Sequence, residues 1–412
     1  MTGGADAVVI GAGAAGIAAA RRLHEAGRDV LLIEAKGRVG GRAHSFSPLP
    51  GITLDRGCGW LHSAGRNPWV ELASAYGMEV DRSSPNWGVQ WRDLGYLPGE
   101  QAAFGEAWER FDARARSLAT GPDRPLADAV IDPRFRPALD AISGYANGAP
   151  LARVSLHDWL AYEDHATEDN WAVREGYGTL IARHGAGVPT RLGCAASLVE
   201  HDGARVRVHT PEGVIETAAV IVAVPTTALA REALRFSPHL PDKHAAASAL
   251  PLGLADKVFL RVEGTREWPD NAHLLGRPQR ACTASHRLSP FGWPVIESFF
   301  GGDCAEAIEA GGPGAAADFA IGELVDLLGS EWRARLLPLG ATAWRREAHV
   351  HGSYSHASVG GAGQRAVLAE PVEQRLFFAG EACHSSDFST AHGAFETGVA
   401  AADALMRGHT AG

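Results

Sequence analysis

The residues best suited to chemistry near the start of the chain are three glycines and one acid. Gly11, Gly13 and Gly16 form a GxGxxG pattern, and Glu34 ends the apolar run that follows. In this pattern the first glycine permits a tight turn, the second lets a pyrophosphate approach the backbone, and the third lets helix and strand pack closely. The helix start then faces the anion, and the acid accepts hydrogen bonds from a ribose diol. We predict a dinucleotide-binding site; the alternative is a glycine-rich turn.

A second cluster of glycines and arginines directly follows the acid. The string EAKGRVGGRAHS contains Arg38, Gly40, Gly41 and Arg42. Guanidinium groups at this place can donate to phosphate oxygens. A fold that binds only a nicotinamide dinucleotide does not require this cluster, so it narrows the choice of cofactor. The alternative is a basic turn on the surface.

Two further side chains are candidates for catalysis. Lys257 stands in the apolar string ADKVFLRV, where burying a lysine is costly unless it has a partner. The alternative is a lysine on an edge strand that reaches solvent. His62 follows Trp60 and Leu61, and an imidazole titrates near neutral pH, so it can contact or deprotonate an ammonium. The alternative is an ordinary polar histidine.

A strand–helix–strand unit is needed to position the first cluster. Apolar runs at Ala7–Ile10 and Val30–Ile33 enclose a helical pattern over Ile17–Ala26, which is typical of a buried parallel sheet. Strand and helix patterns then alternate along the chain, so we predict an α/β protein with two interleaved domains. The dinucleotide domain is predicted to comprise residues 1–75, 186–240 and 344–412, and the substrate domain residues 76–185 and 241–343.

Composition excludes several classes of protein. Apolar residues make up 46% of the 412 residues and charged residues 21%, which is close to the globular average. The net charge of −10 argues against a nucleic-acid partner, which needs a basic surface. No run is long and apolar enough for a membrane helix, and the first residues lack a signal-peptide pattern. We therefore expect a cytoplasmic protein with no membrane partner.

The cysteines predict neither a zinc site nor a disulfide framework. No CxxC pair occurs, and the odd number fits a reducing compartment. No metal is expected. The five cysteines are Cys58, Cys194, Cys282, Cys304 and Cys383.

Strings along nearly the whole chain resemble, in order, segments of the FAD-dependent amine oxidases, which include monoamine and polyamine oxidases. These strings are LDRGCGWLHS (Leu54–Ser63), VIVAVP (Val220–Pro225), LADKVFL (Leu254–Leu260), GSYS (Gly352–Ser355) and FFAGEACHSSDFSTAHGAFETG (Phe377–Gly398). The pattern is most similar to the animal spermine and acetylpolyamine oxidases. The resemblance implies the flavin amine oxidase fold, in which a Rossmann-like FAD-binding domain is interleaved with an α+β substrate-binding domain.

The resemblance also implies how FAD is bound. Monoamine oxidases link the flavin through a cysteine where this chain has Ser353, so noncovalent FAD is expected. Val199 corresponds to a backbone contact with the adenine. The implied contacts with FAD are Gly11, Gly13, Ala14, Ala15, Gly16, Glu34, Ala35, Arg38, Gly41, Arg42, Gly59, Trp60, Leu61, Val199, Trp344, Gly380, Glu381, Thr390 and Ala391.

The implied catalytic residues are Lys257, which in the family holds a water against the flavin N5 atom, and His62, which lies near the bound amine. The implied substrate contacts are His62, Tyr354, Phe388 and Thr390. Monoamine and plant polyamine oxidases have a tyrosine at the position of Thr390, as one wall of an aromatic cage. A cage of two tyrosines is therefore not expected.

The implied reaction is oxidation of a carbon–nitrogen bond in a small amine. A hydride passes from the α-carbon to FAD, water hydrolyses the imine, and O₂ reoxidises the flavin to give H₂O₂. We favour a polyamine-like substrate. The alternatives are another amine (an L-amino acid, a cyclic amine or an arylalkylamine), a flavin-dependent desaturase or isomerase, and a flavin-holding module without turnover.

Charged residues bear on this choice of substrate. An amino acid substrate requires an arginine for its carboxylate, and Arg82, Arg92 and Arg287 are available. An acidic run without Lys or Arg can attract a polycation, although it is more typical of a solvated helix face. The run contains Asp158, Glu163, Asp164, Glu168 and Asp169. The oligomeric state cannot be inferred.

Overall fold

The computed structural model describes residues 5–408, and every structural statement below refers to them. The strands are β1 (Ala5–Ile10), β2 (Val30–Ile33), β3 (Ser45–Leu49), β4 (Ile52–Asp55), β5 (Val80–Asp81), β6 (Ala172–Val173), β7 (Thr190–Arg191), β8 (Leu198–Glu200), β9 (Val206–Thr210), β10 (Gly213–Val222), β11 (Arg235–Ser237), β12 (Ala255–Val262), β13 (Ala272–Leu275), β14 (Ser285–Leu288), β15 (Val295–Gly301), β16 (Leu336–Ala341) and β17 (Leu376–Phe378).

The α-helices lie between these strands. They are α1 (Ala14–Glu25), α2 (Pro68–Ala75), α3 (Glu100–Leu118), α4 (Arg136–Asn147), α5 (Leu156–Glu163), α6 (Tyr177–His184), α7 (Thr226–Ala230), α8 (Pro241–Ala249), α9 (Asp303–Ala310), α10 (Ala315–Leu328), α11 (Gln364–Ala369) and α12 (Ala391–Gly408). Short 3₁₀ turns occur at Leu126–Ala129, Pro133–Phe135, Pro290–Gly292, Ser330–Ala334 and Glu381–Cys383.

The larger sheet has eight strands and gathers segments from three distant parts of the sequence. Its order is β11-β8-β9-β10-β1-β2-β7, and β17 also pairs with β10. The β1–β10, β1–β2 and β10–β17 pairs are parallel. The last four residues of β1, Ala7–Ile10, are apolar and buried because helices cover both faces of a parallel sheet. The chain turns directly from β1 into α1, which places the GxGxxG glycines at the carboxyl edge of the sheet.

The second sheet has five antiparallel strands in the order β13-β14-β15-β12-β16. Strand β12 lies between β15 and β16, and seven of its eight residues are buried. All five strands fall between residues 255 and 341. Strands of the larger sheet lie within 5–33, 190–237 and 376–378. The domain boundaries drawn from the sequence remain a prediction, and their ends at 1–4 and 409–412 lie outside the described residues.

Helices α1 and α12 pack closely together over one face of the larger sheet. A Cβ added at Gly398 would lie 2.2 Å from the Ala15 carbonyl oxygen, so only a glycine permits this approach. At Gly16 an added Cβ would lie 1.8 Å from the Gly11 carbonyl oxygen. The third glycine of GxGxxG therefore fixes how closely α1 approaches the turn before it, as the pattern predicts.

The structure corrects the prediction made for the cysteines. Cys282 and Cys304 form a disulfide, which joins the segment before β14 to α9, whereas the scattered cysteines predicted no bridge. Their 22-residue separation carries no recognisable spacing pattern, so sequence could not pair them. The other cysteines are free thiols. No described helix is long and apolar enough to cross a membrane.

Candidate active site

One large cavity joins the carboxyl edge of the larger sheet to the second sheet. Its volume is about 1420 Å³, which exceeds the ~300–1,000 Å³ of a typical small-molecule pocket. The start of α1 and Glu34 line one part of it, and Lys257 and His62 line another. The cavity therefore has room for a dinucleotide and a second small molecule together.

The first turn of α1 forms the part of the cavity suited to a pyrophosphate. The N-cap residue Gly13 makes no side-chain cap hydrogen bond, so the first N–H groups of the helix are left for an anion. A Cβ at Gly13 would meet no atom within 4 Å, so the backbone is open to a ligand. Gly40 donates its N–H to the Ala12 carbonyl at 2.7 Å, which brings the second glycine cluster against the first. Ala14, Ala15 and Gly41 also line the cavity.

Glu34 lies at the end of β2 and is buried. Its carboxylate accepts the Ala12 N–H at 2.7 Å and the Lys36 N–H at 2.9 Å. A carboxylate has further lone pairs, so it can still accept a hydroxyl of a ligand. Ala35 lines the cavity beside it. Glu34 thus has the position expected of a ribose-binding acid.

Half-buried Arg42 and buried Glu381 form an ion pair in the cavity wall. Arg42 donates to Glu381 Oε1 at 2.8 Å and to the Ser353 carbonyl at 2.6 Å. Burial opposes ionisation of Glu381, but the Arg42 charge and a hydrogen bond from Ser355 outweigh it and lower the pKa of Glu381. Glu381 is therefore ionised and fixes the orientation of Arg42.

Lys257 is buried and is not an edge lysine, because β12 is an interior strand. Its Nζ donates to the Asp55 carbonyl oxygen at 3.1 Å and lies 2.7 Å from Glu297 Oε1. An ammonium has three N–H donors, so one remains for a ligand in the cavity. A Cβ at Gly59 would lie 3.3 Å from Nζ, so Gly59 leaves the space in which the ammonium lies.

His62 presents an unprotonated ring nitrogen to the cavity. Asn170 donates its Nδ2 to the Glu168 carbonyl at 2.9 Å, so its Oδ1 accepts a hydrogen bond from His62 Nδ1 at 2.6 Å. Burial lowers the pKa of His62 to about 4, against a smaller opposing effect of Asn170. His62 is therefore neutral at pH 7 and its Nε2 is a hydrogen-bond acceptor.

The predicted substrate contacts all line the cavity, but two of their hydroxyls are already used. Tyr354 donates its hydroxyl to the Tyr145 carbonyl. Thr390 donates to the Asp387 carbonyl at 2.6 Å and accepts the Gly393 N–H at 3.0 Å, as a cap of α12. These residues, with Phe388, can therefore offer a ligand mainly shape and apolar surface.

Four predicted cofactor contacts do not line the cavity: Gly16, Arg38, Leu61 and Val199. Gly16 acts through packing, as described above. Leu61 and Val199 are fully buried in the hydrophobic core. Of the remaining predicted contacts, Trp60, Trp344, Gly380 and Ala391 all line the cavity.

The contacts of Val199 and Arg38 with FAD remain predictions. Val199 is the inward-facing residue of β8, and the residues that line the cavity come just before that strand, at Ala196 and Ser197. The contact expected of Val199 is through its backbone, so the inward direction of its side chain does not contradict it. Arg38 instead donates to the Val39 carbonyl at 3.2 Å.

Sequence reasoning also missed residues that line the cavity. Glu297, Asn170 and Trp87 were not selected because their partners are distant in the chain. Trp87 packs edge-on against Trp60, with ring centroids 5.3 Å apart, and its ring lies 6.0 Å from that of His62. No short pattern marks it. Glu297 could have been anticipated in kind, because the free-energy cost of burying the Lys257 ammonium implies a carboxylate partner.

His384, Asp387 and Glu396 form a group with metal-ligand atoms within 4.8 Å. Asp387, however, is already held by both terminal nitrogens of Arg66, at 2.5 and 2.6 Å. The guanidinium supplies the positive charge there. The absence of a metal remains a prediction.

The residues present fit an adenine dinucleotide. The uncapped start of α1 and Arg42 suit a diphosphate, Glu34 suits a ribose, and the glycine turns leave the backbone open. The cavity then continues to Lys257 and His62, where a second molecule can meet the reactive end of the cofactor.

Comparison with known proteins identifies related sequences over nearly the whole chain. The family model described as flavin containing amine oxidoreductase matches residues 14–119 and 104–406. Polyamine oxidase 3 of Oryza sativa subsp. japonica is 30% identical over 97% of this chain and 88% of its own length. Lysine-specific histone demethylase 1 homolog 2 of Arabidopsis thaliana is 26% identical over 97% of this chain and 58% of its own length.

A solved structure shares the fold. Cyclohexylamine oxidase from Brevibacterium oxydans IH-35A superposes with a TM-score of 0.80 at 20% identity, over 99% of this chain and all of the other. The fold class predicted from the sequence is confirmed.

Proposed function

We propose that this chain, which belongs to the family of flavin containing amine oxidoreductases, binds FAD noncovalently and oxidises polyamine-like amines at a carbon–nitrogen bond. The observation that carries the proposal is the single cavity in which a dinucleotide site continues to Lys257 and His62. In this cavity Lys257 keeps one N–H donor free, and His62 keeps Nε2 free as an acceptor. Ser353 stands where monoamine oxidases attach their flavin, which supports a noncovalent link.

The protein's own residues would select and orient a neutral amine. A bound flavin would supply the acceptor for a hydride from the carbon beside the amine nitrogen, and O₂ would take up the two electrons as H₂O₂. His62 Nε2 accepts an N–H of the amine and holds its nitrogen in place. The apolar cavity disfavours the charged ammonium and so promotes loss of its proton. Lys257 holds a water with its third N–H, and water hydrolyses the resulting iminium to a carbonyl compound and an amine.

Arg287 favours a second candidate, an oxidase of α-amino acids. Of the three arginines available for a carboxylate, Arg287 lines the cavity, and its Nε has no hydrogen-bond partner. Arg92 instead pairs with Glu267 on the surface, and Arg82 lies over the ring of Trp171. Arg287 faces Glu297 across the β14–β15 pair, however, and an acid at that place repels a carboxylate. We therefore prefer polyamine-like amines to α-amino acids as the substrate class.

The test is anaerobic reduction of the flavin by a panel of amines. The purified protein is mixed with spermine, spermidine, acetylated polyamines, cyclic and aryl amines, and L-amino acids, and the flavin absorbance is followed. We expect polyamines to bleach the flavin fastest and a peroxidase-coupled assay to detect H₂O₂ in air. Bleaching by L-amino acids alone would support the second candidate, and no bleaching by any amine would refute both.

Two further measurements examine the cofactor. Acid precipitation is expected to leave the flavin in the supernatant, since no covalent link is proposed. Flavin that stays with the precipitate would contradict noncovalent binding. Analysis of the released flavin distinguishes FAD from FMN.

A further inference from the structure

Glu163 is an acid of α5 whose charge has no partner in the described structure. It is half-buried, lines the cavity, and makes no hydrogen bond or ion pair with any described residue. The other four acids of the acidic run either have a partner or lie outside the cavity. Asp158 and Asp164 pair with arginines, Asp169 accepts a backbone N–H, and Glu168 is exposed outside the cavity. Within this run, Glu163 is therefore the carboxylate left facing the cavity, and Glu109 of α3 is a second acid of the cavity wall.

The guanidinium of Arg116 does not neutralise Glu163, because it is already paired with two other carboxylates. Arg116 donates its Nε to Asp112 at 2.8 Å and its Nη1 to Asp164. Burial, with a contribution from Asp112, raises the pKa of Glu163 to about 7, and Arg116 compensates only in part. A cation carried by a ligand would remove this cost of burying an unpaired carboxylate.

Aromatic rings surround the same part of the cavity. Trp159 lies one helical turn before Glu163 and so shares its face of α5. Tyr162 of α5 and Trp108 of α3 also line the wall. Aromatic faces attract cations, the more so when water is excluded. No Lys or Arg of α3 or α5 lines the cavity, so a positive ligand meets no repulsion from these helices.

Two further aromatic rings of the cavity wall lie near Lys257. Lys257 Nζ lies 5.7 Å from the ring centroid of Phe299, and that ring lies 5.8 Å from the ring of Tyr145. Both aromatic residues belong to the cavity wall, as does Glu163. An apolar carbon chain can therefore extend from the reacting amine to Glu163 within one space.

We propose that Glu163 binds a second ammonium group of the substrate, which the rings of Trp108, Trp159 and Tyr162 enclose. The inference rests on the proposed function, because the first amine of the same molecule is the one oxidised beside Lys257 and His62. It assigns the substrate class: diamines and polyamines rather than monoamines. The carbon-chain length of the best diamine substrate then measures the distance between Glu163 and the amine that is oxidised.

The test compares α,ω-diamines with n-alkylamines of the same length. In the wild-type holoenzyme we expect kcat/KM for the best diamine to exceed that of its matched monoamine. Glu163→Gln is expected to lower the diamine value by about tenfold to a hundredfold, mainly through KM, the size expected for a lost charge-assisted hydrogen bond. The monoamine value should stay within about twofold, because the far end of the matched amine carries no charge or N–H for Glu163 to bind.

Glu168→Gln is the matched control, since it removes the same charge close by in sequence but outside the cavity. It is expected to leave the diamine preference unchanged. Calorimetry with dithionite-reduced, oxygen-free enzyme, which cannot turn over, should show the same loss of diamine affinity in Glu163→Gln alone.

The possible outcomes separate this inference from the proposed function. If Glu163→Gln keeps the diamine preference, or the wild type has none, the inference is overturned while oxidation of monoamines still supports the function. If no amine reduces the wild-type flavin, the proposed function fails and the inference fails with it.

Discussion

At the scale of single residues, variants of Lys257 and Glu297 distinguish the chemical role of Lys257 from its contribution to stability. Lys257→Met removes the donor that we assign to a water beside the flavin, so flavin reduction or reoxidation should slow by about a hundredfold or more. The same change takes the ammonium partner from the partly buried Glu297, which should cost at most about 3 kcal/mol in free energy of unfolding, because Arg287 still faces this carboxylate. Stopped-flow kinetics and denaturant unfolding measure the two effects, and the flavin content should remain that of the wild type.

The double variant Lys257→Met/Glu297→Gln is the control for this pair. Because no unpaired carboxylate remains, much of the lost stability should return. The slow flavin chemistry should not return, since the donor is still missing. Wild-type kinetics in Lys257→Met would remove Lys257 from the mechanism.

His62 leads to a prediction about pH. Its pKa of about 4 means that it is already neutral above pH 6, so it cannot produce a change in rate between pH 7 and 10. Alkylamines have pKa values of about 10.4, and only their neutral form reacts, so kcat/KM should rise over this range. His62→Ala should lower kcat/KM about tenfold at every pH, through loss of one hydrogen bond, without moving the rise. A step near pH 6.5 that disappears in His62→Ala would contradict this assignment.

Single residues that stand in local patterns were the predictable ones. Gly13, Glu34 and Arg42 follow one another closely in the sequence, and each occupies the expected place in the cavity wall. Glu163 stood in an acidic run that could not be resolved further, because a run does not show which member faces a cavity. Burial and pairing distinguish it from Asp158 and the other members.

At the scale of elements, the contact of α12 with α1 allows a matched test of packing. Gly398→Ala places a methyl group 2.2 Å from a backbone oxygen of α1, so the helices must separate. We expect a loss of about 1–3 kcal/mol in free energy of unfolding, as for other overpacked contacts, and weaker flavin binding because α1 also carries the anion site.

Gly322→Ala in α10 is the control for this change. No atom lies within 4 Å of the added Cβ, and alanine favours helix over glycine by about 1 kcal/mol. This variant should therefore be as stable as the wild type or more so, with unchanged flavin content. Thermal unfolding of both proteins measures the contrast, and equal destabilisation would show that close packing is not the cause.

Element type was easier to predict than element register. The βαβ opening follows from apolar runs, a glycine turn and a helical pattern, and the structure places β1, α1 and β2 there. Such patterns do not fix register. In β8 the side chain of Val199 faces inward, and the residues that line the cavity, Ala196 and Ser197, come just before the first strand residue, Leu198. Because alternate strand residues face opposite sides, a shift of one residue changes which side chains meet the cavity.

At the scale of the whole molecule, the site depends on contacts between distant parts of the chain. Arg42 and Glu381 are 339 positions apart, and Asp158 and Arg365 are 207 apart. Sequence shows that each residue type is present but not that the fold brings them together. Family resemblance supplied the cofactor half of the cavity, whereas Trp87, Asn170 and Glu297 come from segments where the resemblance is weak.

The charge of the whole molecule should affect how fast amines reach this site. The net charge is −10, and the charged residues that α3 and α5 present to the cavity, Glu109 and Glu163, are both acids, so the protein's field should draw cationic amines inward. Salt shortens the reach of that field, from a Debye length of ~30 Å at 0.01 M to ~8 Å at 0.15 M. The second-order rate of flavin reduction at low amine concentration should therefore fall as salt is added. The fall should be steeper for a diamine than for a monoamine of equal length, because the attraction scales with ligand charge. Repeating the series with a second sodium salt controls for anion binding, and equal slopes for the two amines would show that steering by charge contributes nothing to their capture.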